Sequence, residues 1–482
     1  MKKPLMILAF LAAATFALPV VLEENIHRNA DRDSVYTTRF QSDSPFWQSN
    51  NFNFRAKTGA IFSKDTDKSG RIIMYFNDSI AASDWLPTQI GPLMLSDYNY
   101  LQFIFSGFFD NRAIHGKTVD WSRPGERDES SPRKSADLYR AILKFTPNEN
   151  ILISIGKDYY NWGPAQIGGL MLSDYNMGFT GLYQRYKIGG FTVRGLATQL
   201  NSSPWRQSDS NVEPSHRFFS AGRIEYYRDL WGFAISQSII YGGRDRSFEI
   251  PYLIPVFPFH YAQLANWRYG NNGDNTFGGL DAYANFFDKN LQIYGEILVD
   301  DFQGDKDDAS QSVQNLTGFV AGAKFNIPKI TYGFFEAGQI NSFVYNHVAG
   351  YPMKYLNKDA FIGSPLGPDN QLFWGKLGYD FSKINLKAEI YGWLLRQGER
   401  DINKDYTELL GTRKDKIPYG KVKRETAAWL SAIYEYKHNT AEIYGGISKT
   451  QTENVSGTSH ITPFFGFSVN AAIGIGWDKK LQ

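Results

Sequence analysis

The residues best equipped for chemistry sit in one segment and its near copy. Gln166-Ile-Gly-Gly-Leu-Met-Leu-Ser-Asp-Tyr-Asn176 repeats Gln89-Ile-Gly-Pro-Leu-Met-Leu-Ser-Asp-Tyr-Asn99, and only Pro92 against Gly169 differs. Each copy joins a glycine turn and an apolar triplet to a polar end that can hydrogen-bond to backbone or ligand. Two readings stand side by side. The segment is an in-fold that caps the protein's interior, with Leu170, Met171 and Leu172 as the plug, or Asp97, Asn99, Asp174 and Asn176 touch a ligand. The ligand chemistry would be that of a sugar, whose ring faces stack on flat aromatics while carboxylates and amides take the hydroxyls. Trp162 lies just ahead of the second copy, and further clusters supply the same side chains: Trp121 and Arg123 beside Glu126, Trp205 with Arg206, and Trp267, Arg268 and Tyr269 beside Asp274. The glycan-binding residues expected are Trp162, Asp174, Asn176, Trp267, Arg268 and Asp274. Against any single aromatic stands its common role as a girdle residue at a membrane interface.

Other chemistries find less support. Asp300-Asp301 with Asp305, Asp307 and Asp308 is acidic enough for Ca²⁺, but the spacing fits no EF-hand loop and reads as a solvated turn. The seven histidines are scattered and no Gly-x-Ser-x-Gly elbow occurs. No catalytic residue, metal site or cofactor is expected, and the chain reads as no enzyme. Fifty-one basic residues against 49 acids leave nothing to attract nucleic acid.

The elements that must position these residues announce themselves by rhythm. Stretches of about ten residues alternate apolar and polar side chains; in Leu291 to Asp300, Leu291, Ile293, Ile297 and Val299 share one face, and Gln292, Tyr294, Glu296 and Asp300 the other. Period two with a polar second face, repeated along the chain, predicts a transmembrane antiparallel β-barrel, all-β, of about 18 strands with in-folded plug segments. Short links fall at Pro147 to Asn150, Arg228 to Leu230, Asp288 to Asn290, Asn326 to Lys329 and Lys437 to Asn439. Long ones fall at 114–135, 201–216, 243–278, 341–370 and 397–424. Short turns on one rim and long loops on the other are the barrel pattern. Glu225, Glu296, Glu336, Glu389, Glu435 and Glu442 should face the lumen and need cationic partners, for which Arg140, Lys144, Arg223 and Lys387 stand on similar faces.

The bulk composition agrees. The chain holds 16% aromatic and 42% hydrophobic residues in 482, yet its mean hydropathy is negative. An apolar outer band around a polar lumen gives that mixture. Lys2 and Lys3, an apolar run from Leu5 to Phe16 and Thr15-Phe16-Ala17 form an export signal. The expected organisation is a signal peptide over 1–17, an N-terminal periplasmic or plug segment over 18–52, and an outer-membrane barrel over 53–477. There is no cysteine, which suits an oxidising compartment.

At this point the chain resembles a family. Gly156-Lys-Asp-Tyr-Tyr-Asn-Trp162-Gly-Pro-Ala-Gln-Ile-Gly-Gly-Leu-Met-Leu172-Ser-Asp-Tyr-Asn176 is similar to the signature of the capsule-assembly Wzi family, a Gly-Lys strand end followed by Trp-Gly-Pro-Gly and Leu-x-Leu-Ser-x-Asn. Asp274-Asn275, Tyr294 to Phe302 and Gly363 to Asp369 match later landmarks in order, so the resemblance covers roughly 150–370. Ala165 replaces the second glycine of the motif, the family's N-terminal helical bundle is not evident in 18–60, and the second Leu-Met-Leu-Ser-Asp-Tyr-Asn copy is this chain's own. The resemblance implies an outer-membrane lectin of a Gram-negative-type bacterium that helps attach or assemble capsular or surface polysaccharide. Its partners would be that polysaccharide, outer-membrane lipid and the barrel-assembly machinery. The alternative is a porin-like or substrate-specific channel; the in-folded segments favour a blocked lumen.

Overall fold

The computed structural model describes residues 51–63, 73–81, 89–90, 93–94, 101–110, 136–174, 178–202, 215–243, 246–268, 274–301, 314–358, 360–404, 415–436 and 439–476. Among them no helix is long and apolar enough to cross a membrane, which leaves strand crossings untouched. The signal peptide expected over 1–17 and residues 18–50 of the segment expected over 18–52 lie outside the described residues, as do Asp97, Asn99, Trp121, Trp205 and Asn176; residues 51 and 52 belong to the first strand.

Eighteen strands share one antiparallel sheet. In chain order they are β1 Asn51–Ser63, β2 Ile73–Ala81, β3 Leu101–Asp110, β4 Ala136–Asn148, β5 Ile151–Asp158, β6 Phe179–Ile188, β7 Phe191–Gln199, β8 His216–Tyr227 and β9 Trp231–Gly243. They continue as β10 Asp274–Phe286, β11 Leu291–Asp301, β12 Leu316–Ile327, β13 Thr331–Ile340, β14 Asn370–Phe381, β15 Leu386–Gln397, β16 Lys423–Tyr436, β17 Asn439–Thr452 and β18 His460–Gly476. From β2 to β18 each pairs with its successor, and β1 pairs with β18, placing first strand beside last. Links such as Gly189-Gly190, both at positive φ, join the strands at one rim, where a two-residue hairpin demands that conformation. From β4 onward the longer links join the strands at the other rim.

Alternation decides the faces. Along β11, Tyr294, Glu296 and Leu298 are buried while Ile293 and Ile297 are exposed. Polar strand positions thus turn inward together with part of the large apolar set, while the outward positions are apolar, as a wall between lipid and a filled interior requires. Inside lies an apolar core made from inward strand residues and from links 159–178 and 341–369, including Leu170, Met171, Leu172, Phe343, Tyr345 and Tyr355. A second cluster joins Ile167 and Leu366 to the inward aromatics Trp374, Tyr391, Trp393 and Trp429.

The inward carboxylates find partners as their alternation requires. Arg223, from β8, bonds Glu225 at 2.7 Å and Asp281 at 2.5 Å. Lys376 bonds Glu389 at 2.8 Å and Lys387 bonds Glu435 at 2.7 Å. Ser431 donates to Glu442.

Candidate functional site: the lumenal plug

The link after β5 turns into the interior and is held by two inward glutamates. Ala165 N and Leu170 N donate to Glu296 at 2.7 and 2.9 Å. Gln166 N and Ile167 N donate to Glu336 at 2.6 and 3.0 Å. Glu336 also accepts from Tyr294 Oη and Trp374 Nε1, each at 2.8 Å. Four turn amides, three of them consecutive, that no strand could satisfy are thereby paired with inward carboxylates of the sheet. Gly163 makes the approach feasible: it sits at φ +103, and a Cβ there would lie 2.2 Å from the Glu296 carboxylate. This explains the Trp-Gly step of the motif.

The segment is closed on itself and backed from above. Trp162 N donates to Leu172 O at 2.9 Å, an antiparallel bridge, and Gly169 N donates to Asn161 Oδ1. From the link after β13, Tyr345 Oη donates to Leu170 O at 2.6 Å and Tyr355 Oη to Met171 O at 2.8 Å. Ile362 O accepts from Ser173 N. Leu170, Met171 and Leu172 are buried. All three pack in the apolar core with Tyr345 and Tyr355.

Arg217 is the residue that sequence reasoning missed. Fully buried on β8, it donates to the carbonyls of Pro352, Lys354 and Leu356 at 2.7, 2.8 and 3.0 Å. Its guanidinium also lies over the Tyr351 ring. A cation spent on three carbonyls of one loop leaves no mark in the sequence beyond an inward-facing arginine. Arg217→Ala should leave those carbonyls unpaired at roughly 1–3 kcal/mol each. Hydrogen exchange of the Tyr355 and Ile362 amides should then speed at least about tenfold, and unchanged protection would refute the clamp. In the same link, burial pushes His347 down to about 4. Burial also raises the Asp369 carboxyl, against donors from Arg400 N, Tyr419 N and Ser342 Oγ.

The expected glycan residues that are described stand in different surroundings, Trp162 in the core and Asp274 at the start of β10. Trp162 is buried in the core, its ring beneath the Arg223 guanidinium, so it packs the plug where sugar stacking was expected. Asp174 is half-buried at the described end of the same segment. The loop expected to carry Trp267, Arg268 and Asp274 is differently built. Trp267 and Arg268 end a helix, α1, Phe259–Arg268. Asp274 opens β10 on the outer face, paired with Arg246 and accepting from Asn266 Nδ2 at 2.7 Å. Asp274 is buried, and so is not the exposed loop carboxylate expected. The β10 strand starts at 274, ahead of the 279 expected, because Asp274 to Gly278 pair with β9 despite a glycine-rich, weakly alternating sequence. Asp300 is tied to Tyr345 N, while Asp305, Asp307 and Asp308 lie outside the described residues. Among the described residues no group of three His, Asp or Glu could hold a metal.

No protein-family model and no curated protein matches the chain. Solved structures do. A carbohydrate-binding β-barrel, Wzi, involved in group 1 capsule assembly in Escherichia coli, superposes with TM-score 0.53 at 14% identity over 95% of this chain and 94% of its own. OccAB4 of Acinetobacter baumannii superposes with TM-score 0.50 at 10% identity over 90% of this chain and 100% of its own. The fold is that of outer-membrane β-barrels. At these identities the likeness shows fold alone.

Proposed function

We propose that the protein is an outer-membrane barrel with a closed lumen that binds a surface polysaccharide at its long-loop rim. It would serve capsule or surface-glycan attachment, as in the capsule-assembly Wzi family that its Trp162 to Asn176 motif resembles. The observation that carries this reading is the plug: four backbone amides on Glu296 and Glu336, with three large apolar side chains buried against inward strands. A conduit for solutes would have to expose that triplet to water, at about 1.5–3 kcal/mol for each side chain. The E. coli barrel with the similar fold is a carbohydrate binder, which gives the reading its ligand class. On this reading Asp174 and Asn176 bind sugar hydroxyls, and Trp267 and Arg268 are further contacts.

A channel remains the second reading, favoured by the density of inward charged side chains. Purified protein in planar bilayers separates the two. No steady conductance is expected, and porin-like current in the wild type would reverse the order. For the binding half, Asp174→Ala should weaken polysaccharide retention by about tenfold, the worth of one hydrogen bond to a charged group. Folding should stay intact, since Asp174 is half-buried. Retention at the wild-type level would remove Asp174 from the site.

A further inference from the structure

The link between β9 and β10 does not cross the lumen. Its described part, 246–268, lies on the outer face of the sheet. Gln184, Gly195, Gly222 and Gln237 all point outward by alternation with the inward Tyr183, Arg194, Arg223 and Ser236, and the link packs on this first set. Gln184 Nε2 donates to Leu253 O at 3.0 Å, and Gln237 Nε2 to Phe257 O at 2.6 Å. Phe259 N donates back to Gln237 Oε1 at 3.2 Å. Pro255 sits in a groove that two glycines leave open. A Cβ on Gly195 would meet its ring at 2.5 Å, and one on Gly222 its carbonyl oxygen at 1.8 Å.

Depth follows from register. Gly222 is paired with both Gly195 and Gln237, five residues, or about 17 Å along the strand, below Arg217 at the long-loop rim. One row lower run Val193, Ile224, Ile235, Leu280, Ile297 and Phe319, in register across β7 to β12. Most of that row is exposed outward, Ile235 at 59%. At the rim the link is polar and sealed: Arg246 pairs with Glu249 and Asp274, and Gln263 Nε2 donates to Asp274 O. Toward its deepest point it is apolar, Ile250-Pro-Tyr-Leu-Ile-Pro-Val-Phe-Pro-Phe259, with Ile250 73%, Ile254 50% and Val256 53% exposed.

We propose that 246–268 is a lipid-facing strap, seated on the barrel wall with Ile250, Ile254 and Val256 against acyl chains of the outer leaflet. The proposal rests on the membrane-barrel reading and adds to it an irregular segment at hydrocarbon depth. Such a segment needs its backbone satisfied. Here three prolines carry no N–H, and Gln184 and Gln237, costly if bare to lipid, supply partners for its carbonyls. The polar rim and apolar tip follow the membrane's own gradient, and the tip continues the exposed apolar row beneath it. Lipid is therefore the occupant argued.

The cysteine-free chain makes the test direct. Single nitroxide labels at Ile254→Cys, Val256→Cys and, as a wall control, Ile235→Cys are compared in phosphatidylcholine vesicles for collision with oxygen and with a water-soluble nickel chelate. Both strap labels should favour oxygen over chelate several-fold, as Ile235 does. Adding Gly222→Val, which fills the groove, should abolish that preference at Ile254 and leave it at Ile235. Chelate access at Ile254 and Val256 with Ile235 still in lipid overturns the strap alone. Label–label dipolar broadening between copies also overturns it, in favour of a subunit contact. Chelate access at Ile235 overturns the barrel reading itself.

Discussion

Replacing both plug-holding carboxylates, Glu296→Ala with Glu336→Ala, should raise the conductance of the barrel well above that of the wild type. The two side chains accept four backbone N–H bonds from Ala165, Gln166, Ile167 and Leu170. Hydrogen bonds to charged groups contribute roughly 1.5–3 kcal/mol each, so the double variant removes most of what ties this turn to the wall. The freed amides would have no partner inside and would be satisfied only by water, which favours a conformation with the turn displaced. The wall itself should survive, because both residues sit on strands whose pairing is backbone to backbone. Planar-bilayer recording measures the effect, with the heat-modifiable gel shift confirming a folded barrel. Glu296→Gln alone should give brief, partial openings, since an amide keeps one acceptor but presents N–H groups to N–H groups. A folded double variant that conducts no more than the wild type would show that the apolar triplet and the Tyr345 and Tyr355 contacts hold the plug unaided.

The second large effect belongs to Arg223. Its guanidinium serves Glu225, Asp281, Ser236 and Tyr227 at once, and it is buried with both carboxylates. Arg223→Met leaves Asp281 without its cation and Glu225 with Arg194 alone. Removing one partner of a buried pair costs about 3–5 kcal/mol, so the folded gel band should be lost at a clearly lower temperature. Adding Asp281→Leu should recover most of that loss, because a buried pair replaced by apolar groups is often neutral. If the single variant melts with the wild type, the network carries little stability and its charges serve something else.

The sequence alone determined the wall. Period two is a local property of an extended chain: in Leu291 to Asp301 it assigns Ile293 and Ile297 outward and Glu296 inward whatever the partner strand. It likewise separated short links from long ones, and it marked Leu170, Met171 and Leu172 as an apolar triplet that had to find cover. Only the tertiary structure decided what the links do, because a link has no period and its environment comes from distant residues. Trp162 reads the same in a sugar site and in a core; the bridge to Leu172 and the Arg223 guanidinium above its ring put it in the core. Asp274 reads as a loop acid until the register of β9 and β10 turns it outward beside Arg246. Ala165 and Glu296 are 131 residues apart, and no local pattern ties a turn amide to a carboxylate that only the folding of the intervening strands into one sheet brings within reach.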